Sequence, residues 1–239
     1  PIQRGAAPPA AASPPAPEEP MHSSATSRLR DDGQAIHLGP ERATRRLVLL
    51  HGWGADADDL LDLAEVLVPP EVSVVSLRAP ESHPAGMGRQ WYPLLWSADM
   101  VPEPAWERVP AACEALRGRL LDLAATVPLG STAVLGFSQG AAMALDVATG
   151  GEQPLPLAAL IASSGYPHRG WRPQSSGTPV LLTHGRQDPV VTPDHCDSLQ
   201  GSLQEAGIPV SRRDFSGGHG IDPALLPLMR EFLEQSWPG

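Results

Sequence analysis

The chain has 239 residues, enough for one sizeable α/β domain. Its formal net charge of −10, with no basic run, argues against the phosphate-neutralising surface of a nucleic-acid binder. All 17 basic residues are arginines, which excludes a Schiff-base or pyridoxal phosphate enzyme, a Ser–Lys dyad and a Walker A loop.

The first twenty residues, PIQRGAAPPAAASPPAPEEP, lack the basic and apolar regions of a secretory signal. A Pro/Ala-rich segment of this kind cannot bury enough surface to offset its ordering entropy. Residues 1–27 are therefore expected to be a disordered extension, with a native start at Met21, and residues 28–239 to form one catalytic domain.

From about residue 34, apolar runs alternate with stretches of helical spacing. Strands are expected at 46–50, 72–77, 132–137, 157–162, 180–183 and 210–215. Helices are expected at 58–68, 105–126, 141–149, 193–206 and 223–235, with Thr192-Pro193 and Asp222-Pro223 marking the starts of the last two. This alternation predicts right-handed βαβ units and a mostly parallel sheet with helices on both faces. The segment 78–104 breaks the rhythm, and its length and aromatic content predict an ordered functional loop. No insertion is large enough for a separate cap domain. No apolar run approaches the ~18 residues of a membrane span, so no stable membrane insertion is expected. Cys113 and Cys196 have no metal-ligand spacing and read as buried free thiols. No metal is expected, and the scarcity of cysteine suits the cytoplasm.

The stretch Leu135–Leu145, LGFSQGAAMAL, carries the strongest chemical signal. Ser138 lies in a G-x-S-x-G pentapeptide between an expected strand and an expected helix, the setting of a nucleophile elbow. Gly136 and Gly140 are needed because side chains there would clash with neighbouring backbone. A serine hydroxyl is a poor nucleophile without a base, and in such a fold an acid and then a histidine follow in later loops. Asp188 follows the strand at 180–183, and His219 follows the strand at 210–215. Among rivals, His184 reads as a structural loop residue and His195 as solvated. Asp194 and Asp197 read as first-turn helix acids, and Asp222 as an N-cap. The oxyanion donors are expected to be the backbone N–H groups of Gln139 and Trp53, the latter in the glycine-rich LHGWG segment. His51 reads as an organiser of that segment, and Arg89 as a structural residue of the 78–104 loop. Trp53, Met87, Trp91 and Leu94 are expected to line the substrate pocket, with further apolar surface from Leu95 and Trp96.

Taken in order, LHGWGADADDL, GFSQGAAMAL, HGRQDPVV and GGHGI resemble the phospholipase/carboxylesterase family of α/β-hydrolases, which includes the acyl-protein thioesterases. PAGMGRQWYPL resembles a GRQWF-type segment of its bacterial members, although Trp53 stands where the family often has an aliphatic residue. The resemblance spans about residues 45–236. It implies a serine esterase that needs no metal or cofactor, with Ser138, Asp188 and His219 as triad and Trp53 and Gln139 as oxyanion donors. The expected reaction is hydrolysis of small-to-medium acyl esters or thioesters. The alternatives are a lysophospholipase or acyl-protein thioesterase acting on long chains, and a non-catalytic hydrolase-like binding module. The sequence leaves monomer and homodimer open.

Overall fold

The computed structural model describes residues 29–99 and 102–238; the expected extension 1–27, with Met21, lies outside the described residues. An eight-stranded sheet organises the chain. Its strands are β1 (Arg30–Asp31), β2 (Ala35–Leu38), β3 (Arg46–Leu50), β4 (Ser73–Leu77), β5 (Thr132–Phe137), β6 (Ala159–Ser163), β7 (Val180–Gly185) and β8 (Val210–Phe215). The helices are α1 (Leu61–Leu67), α2 (Val109–Leu123), α3 (Gln139–Thr149), α4 (Pro193–Glu205) and α5 (Leu226–Ser236). The spatial order is β1-β2-β4-β3-β5-β6-β7-β8. From β4 to β8 every neighbouring pair is parallel, while β2 runs antiparallel to β4 and to β1.

The apolar strand RLVLL shows why the sheet is covered on both faces. Successive side chains alternate in direction. Val48 and Leu50 join a core packed against α2, α3 and α4. Leu47 and Leu49 join a second core, packed against α1 and α5. Both sets are fully buried, so a continuous apolar strand is the sequence record of a two-sided sheet. Burying each such leucine contributes about 1.5–3 kcal/mol.

The chain passes from β3 outward to β4, then returns to place β5 on the other side of β3. This reversal opens a crevice at the carboxyl ends of β3 and β5, where ligands of open α/β sheets bind. The loop carrying Trp53 follows β3, and Ser138 follows β5.

The core strands fall within two or three residues of their expected bounds. Two helices are shorter than expected: 105–126 contracts to Val109–Leu123, and 58–68 to Leu61–Leu67. Asp222 does cap, its carboxylate accepting from the Ala224 N–H at 2.9 Å. It starts a short 3₁₀ turn, Pro223–Leu225, that leads into α5. Thr192 occupies the N-cap position of α4, but its side chain makes no capping bond. The loop 78–104 contains two small hairpins, Glu81–Ser82 with Arg89–Gln90 and Leu94–Trp96 with Pro102–Pro104. Such short strands carry too few residues to show an alternating pattern.

Candidate active site

Ser138 sits between the last residue of β5 and the first residue of α3 with φ of 54°, a region that non-glycine residues rarely adopt. Its N–H donates to the Ser163 carbonyl at 2.9 Å, which ties the turn to the neighbouring strand. A Cβ on Gly136 would lie 2.5 Å from the Gly140 carbonyl oxygen, and one on Gly140 would collide with the Leu50 and His51 carbonyls. The turn can therefore close onto β3 only with glycine at both places.

The side chains of Ser138, His219 and Asp188 form one hydrogen-bonded chain. His219 Nε2 is 2.9 Å from Ser138 Oγ, and His219 Nδ1 is 2.8 Å from Asp188 Oδ2. The other carboxylate oxygen of Asp188 accepts from the Val190 and Val191 N–H groups, each at 2.9 Å. Burial pushes the Asp188 carboxyl up. The His219 hydrogen bond and the two amides outweigh burial and hold it below the usual carboxylate range. An ionised Asp188 keeps the proton on Nδ1, so Nε2 is left to accept from the serine hydroxyl. The imidazole also packs on the Phe137 ring, with centroids 4.9 Å apart. His184 stands beside Asp188, its Nε2 3.6 Å from Oδ2, and its Nε2–H donates to the Val191 carbonyl at 2.7 Å, which secures the loop that carries Asp188.

The backbone N–H groups of Trp53 and Gln139 have no acceptor among the described residues. Both residues line the same cavity as Ser138 and His219. The Gln139 side chain has a different task. Its Oε1 accepts from the Trp91 N–H at 2.9 Å, and its Nε2 donates to the Tyr92 carbonyl at 2.8 Å. One buried amide thus pins the long loop to the elbow. His51 Nδ1–H donates to the Gly52 carbonyl at 2.8 Å, and its Nε2 accepts from the Ala79 N–H at 3.1 Å. With both nitrogens engaged and burial lowering its pKa, His51 is a neutral organiser of the segment.

The cavity over Ser138 has a volume of about 510 Å³. Trp53, Leu94, Pro102, Pro104 and Trp106 contribute apolar lining. The Trp53 indole is fixed there by Nε1–H donating to Gln90 Oε1 at 2.9 Å and by edge contact with His83. Two expected lining residues lie elsewhere. Trp91 is buried in the core, and its Nε1–H donates to the His51 carbonyl at 2.9 Å. Met87 projects into solvent at 80% exposure, at the tip of the first hairpin. Arg89 binds the Ala79 and Pro80 carbonyls and so holds the loop, away from the cavity. Leu95 and Trp96 are exposed. Tyr166, His168, Arg169 and His195 also line the cavity and were not read as lining from the sequence. The sequence signal for the first three was their position just after β6, at the carboxyl edge of the sheet.

Cys113, Asp146 and His168 bring donor atoms within 4.8 Å of one another, the spacing a metal ion would require. The His168 Nδ1–Asp146 Oδ2 hydrogen bond, at 2.9 Å, already uses two of these atoms, and burial pushes the Cys113 thiol well up.

A mostly parallel sheet with a Ser–His–Asp arrangement at its carboxyl edge defines an α/β-hydrolase. The model of the phospholipase/carboxylesterase family matches residues 31–237, and the chain belongs to that family. Esterase YpfH of Escherichia coli (strain K12) is 27% identical over 214 residues, covering 88% of this chain and 90% of that protein. The crystal structure of esterase PE8 superposes with a TM-score of 0.73 at 29% identity, covering 84% of this chain and 98% of that one. Zea mays acyl-protein thioesterase 2 shares the fold, with a TM-score of 0.68 at 24% identity over 85% of this chain and 99% of that one. The chain is accordingly an ester hydrolase. No helix among the described residues is long and apolar enough to cross a membrane.

Proposed function

We propose that this protein is a serine carboxylesterase that hydrolyses small-to-medium acyl esters or thioesters through a Ser138 acyl-enzyme. The carrying observation is the continuous hydrogen-bonded chain from Ser138 Oγ through His219 to Asp188. His219 Nε2 takes the Ser138 proton as Oγ attacks the acyl carbon. The oxyanion then forms beside the unoccupied N–H groups of Trp53 and Gln139, at the start of α3. His219 returns the proton to the leaving alcohol or thiol, and the acyl-enzyme forms. Water, deprotonated by the same imidazole, then releases the acid and restores Ser138. The Trp53 indole, held in the cavity wall by Gln90, narrows the space beside Ser138 and supports short and medium acyl groups over long ones. Two buried free cysteines suit the reducing cytoplasm.

The test is labelling with a fluorophosphonate probe, together with turnover of p-nitrophenyl esters from acetate to palmitate. Wild type is expected to label and Ser138→Ala not to, with turnover greatest among the shorter esters. Equal labelling of the variant would refute the nucleophile. A maximum at palmitate would replace this substrate range with a long-chain thioesterase or lysophospholipase activity. Absence of both labelling and turnover would favour a non-catalytic binding protein.

A further inference from the structure

Four polar side chains outside the triad form a second hydrogen-bonded chain that ends at the cavity. Asp146 on α3 holds His168 Nδ1 at 2.9 Å. His168 Nε2 lies 3.0 Å from the Tyr92 hydroxyl, and the Tyr92 hydroxyl lies 2.6 Å from that of Tyr166. Tyr92 is fully buried, His168 is nearly so, and half-buried Tyr166 lines the cavity that contains Ser138. None of the four side chains hydrogen-bonds to Ser138, Asp188 or His219 among the described residues, so the triad does not account for them.

We infer that Tyr166 is a specificity-determining residue that binds a hydroxyl group carried on the acyl chain of the substrate; this rests on the esterase reading above. An ionised carboxylate only accepts, so His168 Nδ1 carries a proton. With neutral His168, Tyr92 donates to Nε2 and Tyr166 donates to the Tyr92 oxygen. The Tyr166 oxygen then has lone pairs to offer the cavity. With His168 charged, the chain runs the other way and Tyr166 has a proton to offer. A hydroxyl group donates and accepts, so it satisfies Tyr166 in either state. An unbroken hydrocarbon chain satisfies neither, and covering the phenolic oxygen with it takes away the hydrogen bond that water would otherwise make there and leaves only the bond to Tyr92. Trp53, Leu94 and Trp106 line the same cavity and offer apolar contact to the carbon skeleton, while Tyr166 offers a polar one to the hydroxyl. Three separate segments anchor the chain: α3, the loop after β6 and the 78–104 loop. The phenol is therefore held in one place before substrate arrives.

The test uses the full chain with methyl hexanoate and its 2-, 3- and 5-hydroxy derivatives, followed by pH-stat. Wild type is expected to prefer at least one hydroxy ester by about tenfold in kcat/KM, and Tyr166→Phe to bring that ratio close to one. Asp146→Asn, which acts only by positioning, is expected to raise KM for the preferred hydroxy ester with little change in kcat. Wild-type preference for none of the hydroxy esters overturns the inference without recourse to any variant. An unchanged ratio in Tyr166→Phe overturns it as well. Fluorophosphonate labelling of every protein separates the two readings: an unlabelled wild type refutes the esterase, whereas a labelled wild type without preference refutes only the role of Tyr166.

Discussion

Gln139→Met separates what the residue after Ser138 does with its backbone from what it does with its side chain. Methionine is close to glutamine in length and leaves the backbone N–H in place, but it supplies neither hydrogen bond to the long loop. The Trp91 N–H and the Tyr92 carbonyl would each lose a partner within a region that is almost fully buried. Leaving a buried polar group unsatisfied costs about 1–3 kcal/mol. Two such groups give a destabilisation of about 2–6 kcal/mol, a large share of the 5–15 kcal/mol typical of a folded domain. Urea unfolding followed by tryptophan fluorescence measures it, because Trp91 lies at the break. The loop also carries Leu94 and the Gln90 that fixes Trp53, so KM is expected to rise more than kcat falls. A midpoint and slope indistinguishable from wild type would refute the reasoning, because the loop would then be held by other contacts.

Asp188→Asn should lower kcat by about 10⁴, since an amide no longer enforces the Nδ1 proton of His219. The folded Asp188 pKa lies below its ordinary value. Its stabilisation is therefore present above about pH 4 and is lost as pH falls through the depressed folded value. Acid unfolding of Asp188→Asn, monitored by circular dichroism, should be correspondingly less steep below pH ~4; a wild-type slope would contradict this. Ser138→Gly should be inactive yet more stable than Ser138→Ala by about 1 kcal/mol, because only glycine adopts the positive φ without strain. Equal urea midpoints for the two variants would remove the argument for strain. Gly140→Ala should destabilise by about 1–3 kcal/mol, because its Cβ meets two carbonyl oxygens that belong to backbone and cannot rotate aside. Thermal unfolding checks this, and an unchanged midpoint would show that the elbow can spread.

Much of the candidate site was legible because its residues are tied to local signals. Ser138 is flanked by a strand, a helix and two obligatory glycines. Asp188 follows an apolar run and His219 follows the mixed strand VSRRDF and a pair of glycines, so the order of elements places both at one edge of the sheet before any contact is known. The rigid core strands were legible for the same reason: residues such as Leu47 and Leu50 are apolar whichever face they meet. Trp91 and Met87 show where that reasoning stops. An aromatic residue and a methionine in a functional loop have the composition of a pocket lining. Composition is silent about direction, and the Gln139 amide turns Trp91 into the core while the first hairpin turns Met87 outward.

The sequence by itself determined the doubly covered parallel sheet, the glycine-flanked turn at Ser138 and the order in which Ser138, Asp188 and His219 follow their strands, because each depends on periodicity or on neighbours a few residues away. Only the tertiary structure decided which side chains line the cavity beside Ser138. Tyr92, Asp146, Tyr166 and His168 come from three segments up to 76 residues apart, and nothing local to any one of them announces the other three. Their joining depends on how α3, the loop after β6 and the 78–104 loop pack together. Hydrogen bonds between distant side chains form only after that packing has fixed their distance and angle.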